Sequence, residues 1–553
     1  MSSDVRKQRT AAIAKADERL LAELGYKQEF QRAFTPLEVF GIAFSIVGLV
    51  PSIASVLFYS VPNGGPVAMV WGWAIASICI FVVGLSLAEL ASAAPTSGGL
   101  YFWAYSYSSP KWRNLLAWIV GYANTIGTIA AVASIDWGAA VQIMAAASIG
   151  TNGSFTKTDR KTFGVYVALV LSHAAVCSLA TRILARLQNV YIALNILLCL
   201  AIIIVLPIAT PSELKNSASY ALGDFTNLYD WPSGFAFILS FMAPVWTICS
   251  FDSPVHISEE ASNAATAVPW AIVWATSIAG IFGLAVNVAL AFCMGHDLDG
   301  LMSSSLGQPM AQIFLNSFGQ NGTLIMWSFI ILTQYMMGSS MMLAASRQSF
   351  AFARDGALPF SGWLYRMNRS TKTPVNTVWF CAVGSILLGA LVFAGTQAIN
   401  AVFSISITAL YLAYSIPIAA RWIWRKDNGW TPGAFSLGAW SGPCAFVSVS
   451  WMTLTSIVFF FPTTMQASAS NMNYTVVVLG GGFILSLVWY YLPVYGGVHW
   501  FEGPRPTVGG YVAREWVAPR DVEGVVHTFK PEKEGTNIEV TSETVLTRGD
   551  RDL

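Results

Sequence analysis

Twelve apolar runs follow one another along this chain, near 35–60, 66–90, 114–147, 163–181, 185–207, 234–258, 268–294, 322–351, 375–395, 400–421, 443–461 and 474–493. Each is long enough to cross a hydrocarbon layer of about 30 Å as a helix. In lipid every backbone N–H and C=O must find its partner within the protein, which leaves helices or closed barrels as spanning elements. Runs of this length select helices, so the expected fold class is an all-α polytopic membrane protein with twelve spans. Only 11% of the 553 residues are charged and 55% are hydrophobic, whereas soluble domains carry about 25% charge. A net charge of +1 offers no basic face to nucleic acid.

An even number of spans places both termini on one side, and the distribution of basic residues says which. Lys111, Arg113, Arg182, Arg186, Arg347, Arg354, Arg366, Arg369, Lys372, Arg421, Arg425 and Lys426 fall on the side of the N-terminus; Lys157, Arg160, Lys161 and Lys215 fall opposite. The positive-inside rule then puts both termini in the cytosol, with a plasma-membrane location expected. Residues 1–34 read as a cytosolic tail with a short amphipathic patch at 16–26, and 494–553 as a polar, disordered cytosolic tail. The sequon at Asn152 faces outside and is the best placed for glycosylation.

The sixth run is interrupted. Asp252 and Pro254 stand where apolar sequence from Phe235 should continue. A carboxylate at the centre of a span costs roughly 2.5–3.5 kcal/mol on insertion scales, and proline removes a backbone donor. The first run carries Gly48 and Pro51 at a corresponding place. Paired interruptions near 46–51 and 249–254, five spans apart, point to inverted five-helix repeats over 35–207 and 208–422, with helices 11 and 12 in 423–493. Facing broken helices are how secondary transporters build a midplane binding site.

Candidate site residues cluster at these breaks: Ser45 and Gly48 in the first run, Trp246, Cys249, Ser250 and Asp252 in the sixth. Asp252, His256 and Glu260 are spaced i, i+4, i+8, one face of a helix. Asp252 either meets a substrate ammonium or caps the second half-helix; His256 either relays protons or is packed. Glu259 and Glu260 suit a gate with Arg347 or Arg354, a solvated face being the alternative. Glu89 opens a stretch through Trp103 that reads as a re-entrant elbow and joins the gating candidates. Asp136 falls about 22 residues into the third span, roughly 33 Å along and so near its outer end. There it serves an outer vestibule or sits at the interface beside Trp137. Asn124 and Asn195 are further candidates, Gln334, Tyr335 and Ser404 are possible cavity liners, and His173 reads as a satisfied buried histidine.

Neither enzyme chemistry nor a cofactor is expected. The five histidines (173, 256, 296, 499, 527) are too far apart for a zinc hydrolase motif, and no phosphate-binding lysine loop is present. The seven cysteines lie mostly in apolar runs and read as small hydrophobes, with no metal expected.

Four segments carry a family resemblance: Leu-Gly-Tyr-Lys-Gln-Glu (24–29), Ala-Glu-Leu-Ala-Ser-Ala-Ala-Pro-Thr-Ser-Gly-Gly (88–99), Phe-Asp-Ser-Pro-Val-His-Ile-Ser-Glu-Glu-Ala (251–261) and Ala-Phe-Ala-Arg-Asp-Gly-Ala-Leu-Pro (351–359). In this order they resemble the amino acid–polyamine–organocation transporter superfamily, within it the amino acid/choline branch of fungal GABA permeases and choline carriers. The resemblance runs from about residue 18 to 495. It implies a LeuT-like fold of two five-helix repeats plus two helices, and proton-coupled import of a small amine-bearing solute, GABA or a related amino acid, by alternating access. A choline-, polyamine- or thiamine-type cation is the alternative cargo, and a sensor that barely transports is a third reading. The resemblance implies roles for Asp252, as the acid after the break, and for Trp246, as a gating aromatic. Two departures stand out. Amino-acid carriers commonly show a Gly-Ser-Gly-type run in the first helix, where here Gly48 precedes Leu49, Val50 and Pro51; and Asn195 takes the place of the lysine that some proton-coupled members have in the fifth helix.

Overall fold

The computed structural model describes residues 3–179, 181–462, 464–465 and 472–508; the expected C-terminal tail beyond 508 lies outside the described residues. Apolar spans of helix dominate. The N-terminal helix α1 (Ser3–Glu23) is followed by α2 (Pro36–Val47), α3 (Leu49–Ser60), α4 (Gly65–Ala93), α5 (Gly99–Tyr107), α6 (Arg113–Gly150), α7 (Asp159–Leu179) and α8 (Thr181–Ala209). Then come α9 (Ser233–Thr247), α10 (Ser253–His256), α11 (Ala264–Cys293), α12 (Pro309–Arg354), α13 (Val375–Ala394), α14 (Thr396–Ile423), α15 (Gly438–Val458) and α16 (Thr475–Tyr491). Counting α2 and α3 as one span, ten helices among the described residues are long and apolar enough to cross a membrane, and α9 and α16 are shorter apolar helices. The chain is an integral, polytopic all-α membrane protein.

Burial sorts the spans into inner and outer ones. The α2–α3 span is 94% buried, α14 83%, and α6 and α12 each 72%, whereas α8 is 28% buried. The buried spans carry the polar side chains, because a polar group is tolerated at membrane depth only where protein surrounds it. α6 and α12 run past each other and both contact α3; α14 packs on the other side of α6, and α11 packs along α4 and α2. α12 reaches well beyond the expected run at 322–351: it begins at Pro309 and bends at Gly319, whose φ of 65° a side chain rarely adopts.

Two expectations change. The segment expected as an N-terminal tail is docked: Leu21 and Tyr26 of the 16–26 patch, and Phe30 and Phe34 after it, are buried against the bundle. Asp17 accepts the amides of Asn263 and Ala264, the first turn of α11, at 2.8 and 3.2 Å, where a carboxylate satisfies orphan donors and the helix dipole. The C-terminal stretch up to 508 also begins docked, the Thr507 amide donating to the Gly25 carbonyl at 2.8 Å.

Candidate functional site

The first break is a single residue. Gly48 adopts φ 41°, ψ 65°, ending α2 and starting α3. The carbonyl freed at Val47 accepts the Ser52 hydroxyl at 2.7 Å, and the amides opening α3 receive no side-chain cap. Pro51 adds to the interruption, because the Val47 carbonyl would otherwise accept the amide of residue 51, which proline lacks. It sits in the first turn of α3, where a missing N–H costs little, and its carbonyl accepts the Ser55 hydroxyl and the Gln142 amide.

The second break is longer. α9 ends at Thr247, Ser250 takes a left-handed φ of 56°, and helix resumes at Ser253 for one turn. The chain then tightens into a 3-10 turn at Ser258–Glu260. α9 packs on α3 and α10 packs on α2, so the two gaps lie side by side with their halves crossed.

Asp252 stands in that gap, 1% exposed. The capping alternative is overturned: its side chain makes no cap hydrogen bond to α10. Oδ1 instead accepts the Tyr414 hydroxyl of α14 at 2.6 Å, and Oδ2 lies 3.1 Å from His256 Nε2. His256 Nδ1 is 3.2 Å from the Ser97 carbonyl, an acceptor only, so Nδ1 carries a hydrogen. The opposite nitrogen therefore faces a carboxylate, and that contact closes only with a further proton, on Nε2 or on the carboxyl. The Asn124 side-chain amide of α6 approaches the same Nε2 at 3.2 Å. As an NH2 donor, Asn124 satisfies a bare Nε2, so geometry gathers Asp252, His256, Asn124 and Tyr414 around one contact that changes partners with the proton on Nε2.

Trp246 closes the α9 side. Its indole N–H donates to Ser134 Oγ of α6 at 3.2 Å, and its ring meets Phe403 of α14 at 5.0 Å. Beyond Phe403 lies a cavity of about 40 Å³ lined by Tyr59, Asn63, Asn400 and Ser404 among others. Cys249 is buried in the gap, and the Ser250 hydroxyl points back at its sulfur at 3.8 Å.

The opposite end is sealed by two buried ion pairs. Arg354 holds Glu259 through contacts of 3.0–3.2 Å, and Arg347 Nε donates to Glu260 at 2.7 Å. Glu259 also accepts the Ser97 amide at 3.1 Å, and the Arg354 guanidinium lies 3.8 Å from the Tyr26 ring centre. The 3-10 turn aims each glutamate at a different arginine of α12. The i, i+4, i+8 face therefore ends at His256, and Glu260 lies apart from the Asp252 cluster.

Other candidates fall elsewhere. The Ser45 hydroxyl is turned towards Gln188 of α8 and Ser340 of α12, both 2.9 Å away. Glu89 is held by Arg421, Ser436 and Ser441 and by the Leu437 amide, joining α4 to the α14–α15 connection. Asn195 donates to Tyr191 of its own helix at 2.9 Å. Asp136 is fully buried and pairs with His173 at 3.1 Å, so it is neither in an open vestibule nor at the interface. Asn152 is exposed just past α6.

Sequence reasoning missed Tyr414. Its signal was a tyrosine inside an apolar run, because a buried phenol needs a partner.

Crossed half-helices around a buried carboxylate, inside a bundle of apolar spans, define a membrane carrier. A profile of the family described as amino acid permease matches residues 34–483. The chain belongs to the amino acid permease family. It is 39% identical to an uncharacterised amino-acid permease of Schizosaccharomyces pombe, over 90% of this chain and 89% of that one. To the GABA-specific permease of Saccharomyces cerevisiae it is 38% identical, over 87% and 85%. To amino-acid permease 2 of Neurospora crassa it is 34% identical, over 90% of each.

Proposed function

We propose that this permease imports GABA or a related ω-amino acid by proton symport, alternating access between two faces of the plasma membrane with both termini cytosolic. The observation that carries the proposal is the 3.1 Å contact between Asp252 Oδ2 and His256 Nε2 inside the gap of the broken span, a contact that can hold a proton. A substrate ammonium competes for the same carboxylate oxygens, so solute and proton occupancy are linked at one residue. The uncapped amides opening α3 supply a positive helix end for a carboxylate. An amine and a carboxylate at opposite ends of one small molecule suit this pair of anchors. The likeness to a protein named GABA-specific permease supports the same cargo.

In this reading the segments 35–207 and 208–422 act as inverted repeats. Trp246 and Phe403 form the outer gate, and the Glu259–Arg354 and Glu260–Arg347 pairs form the inner one. Radiolabelled GABA uptake in a strain lacking related carriers tests it. Saturable uptake that rises with external acidity is expected. Saturable choline uptake without GABA flux would move the assignment to an organic cation.

A further inference from the structure

A second aspartate–histidine pair lies outside the cluster described above. Asp136 of α6 and His173 of α7 are both fully buried, with Oδ2 3.1 Å from Nδ1. The remaining polar atom of each, Asp136 Oδ1 and His173 Nε2, has no hydrogen-bond partner. Buried polar atoms are nearly always paired, and an orphan calls for an explanation. With Nδ1–H donating to an ionised Asp136, Nε2 is left with a bare lone pair and the pair carries one negative charge.

The surroundings do not cancel that charge. Tyr166 and Cys177 face the pair from α7, Tyr335 of α12 sets its ring 4.3 Å from the His173 ring, and Tyr191 of α8 and Cys381 of α13 stand behind them. Among the described residues no lysine or arginine pairs with Asp136 or His173. Arg347, further along α12, is held by Glu260. A proton is the smallest ligand that would neutralise the pair.

The pair is wired to both moving parts. Gly338 of α12 lets the backbone close on it: a Cβ there would lie 2.3 Å from Asp136 Oδ1 and 2.5 Å from His173 Cε1. The adjacent Met337 places its sulfur against the Gly48 break and 3.5 Å from the Ser52 hydroxyl. Two residues before Asp136, Ser134 accepts the Trp246 indole, and Gln334 of α12 donates to the intervening Ile135 carbonyl at 2.9 Å.

We infer that Asp136 and His173 form a second proton site, distinct from Asp252 and His256, that is loaded and emptied once per transport cycle. The inference rests on the proton-symport reading above. Loading adds one proton to His173 Nε2, giving an imidazolium–carboxylate pair of zero net charge; unloading returns it to water on the other side, with no other bond made or broken. Removing the charge alters what Gly338 and Ile135 pack against, and so biases the first break and the Trp246 gate together.

The test uses the full chain in liposomes, with a pH-sensitive dye and labelled GABA, and compares wild type with Asp136→Asn and His173→Gln. Both variants are expected to take up about one proton fewer per solute and to show a shallower acid stimulation, the part due to Asp252 and His256 remaining, while counterflow at equal pH on both sides stays within about twofold of wild type. His173→Gln keeps a polar amide of similar reach that cannot take up a proton, so it decides the matter if Asp136→Asn does not reach the membrane. An unchanged proton ratio and pH profile in His173→Gln overturns the inference, as does loss of its counterflow. Absence of saturable or pH-dependent flux in the wild type would instead overturn the symport reading itself.

Discussion

Tyr414 donates a 2.6 Å hydrogen bond to Asp252 Oδ1 across the gap between α9 and α10. This bond fixes one carboxylate oxygen, leaving the other 3.1 Å from His256 Nε2. Hydrogen bonds to charged groups contribute about 1.5–3 kcal/mol. Tyr414→Phe is expected to raise the half-saturating GABA concentration by roughly ten- to a hundredfold while membrane abundance holds.

Asp252→Asn goes further, because an amide neither binds an ammonium strongly nor shares a titrating proton. Accumulation should fall to background with the protein still in the membrane, as uptake and a surface-labelling assay together would show. Normal accumulation by this variant would remove the central residue of the mechanism.

At Gly48 the backbone sits at φ 41°, and a Cβ would come within 3.0 Å of Met337 Sδ. A left-handed conformation costs a side-chain-bearing residue roughly 1–2 kcal/mol. Gly48→Ala is expected to lower the melting temperature in detergent and to slow uptake more than it lowers abundance. Met337→Ala beside it should relieve only the steric part.

The spans and both breaks were legible because burying backbone in lipid leaves few alternatives, and Asp252 and Gly48 violate an otherwise apolar pattern. What sequence spacing could not give was tertiary. Glu260 continues the Asp252–His256 period, yet Arg347 captures it after the chain leaves the helix at Ile257. Pro51 reads as the break itself, yet the backbone turns at Gly48 and Pro51 only withholds the amide that Val47 would use. Glu89 reads as a gating candidate, but its partner Arg421 is far away in the chain and no spacing names it. Asp136 and His173 lie one span apart, and only folding shows them facing each other.

The pairing of Glu259 with Arg354 is buried on both sides, and removing one partner of such a pair costs about 3–5 kcal/mol. Arg354→Ala should therefore destabilise the protein more than Glu259→Gln together with Arg354→Gln, which leaves no buried charge unpaired. Thermal melts of the two variants against wild type check the order. In transport, both should leak counterflow without accumulation if these residues hold the inner gate shut.

Asp355 ties three segments together just past α12. It accepts the Tyr26 hydroxyl at 3.2 Å, the Tyr101 hydroxyl at 2.7 Å and the Arg505 amide at 3.1 Å. Burial pushes its carboxyl up to about 6, against the opposing pull of Arg354 and of those three donors. A carboxyl whose folded value lies above its unfolded one holds more protons when folded between the two, so its stabilising contribution is complete below about 4 and lost as pH rises through about 6. The wild-type melting temperature in detergent should therefore carry a component that declines between pH 4 and pH 6.5, beyond what other groups add. Asp355→Asn should remove that component and flatten the profile. An identical slope in the variant would show that Asp355 titrates at the same pH whether the chain is folded or not, and that Arg354 and its three donors offset its burial.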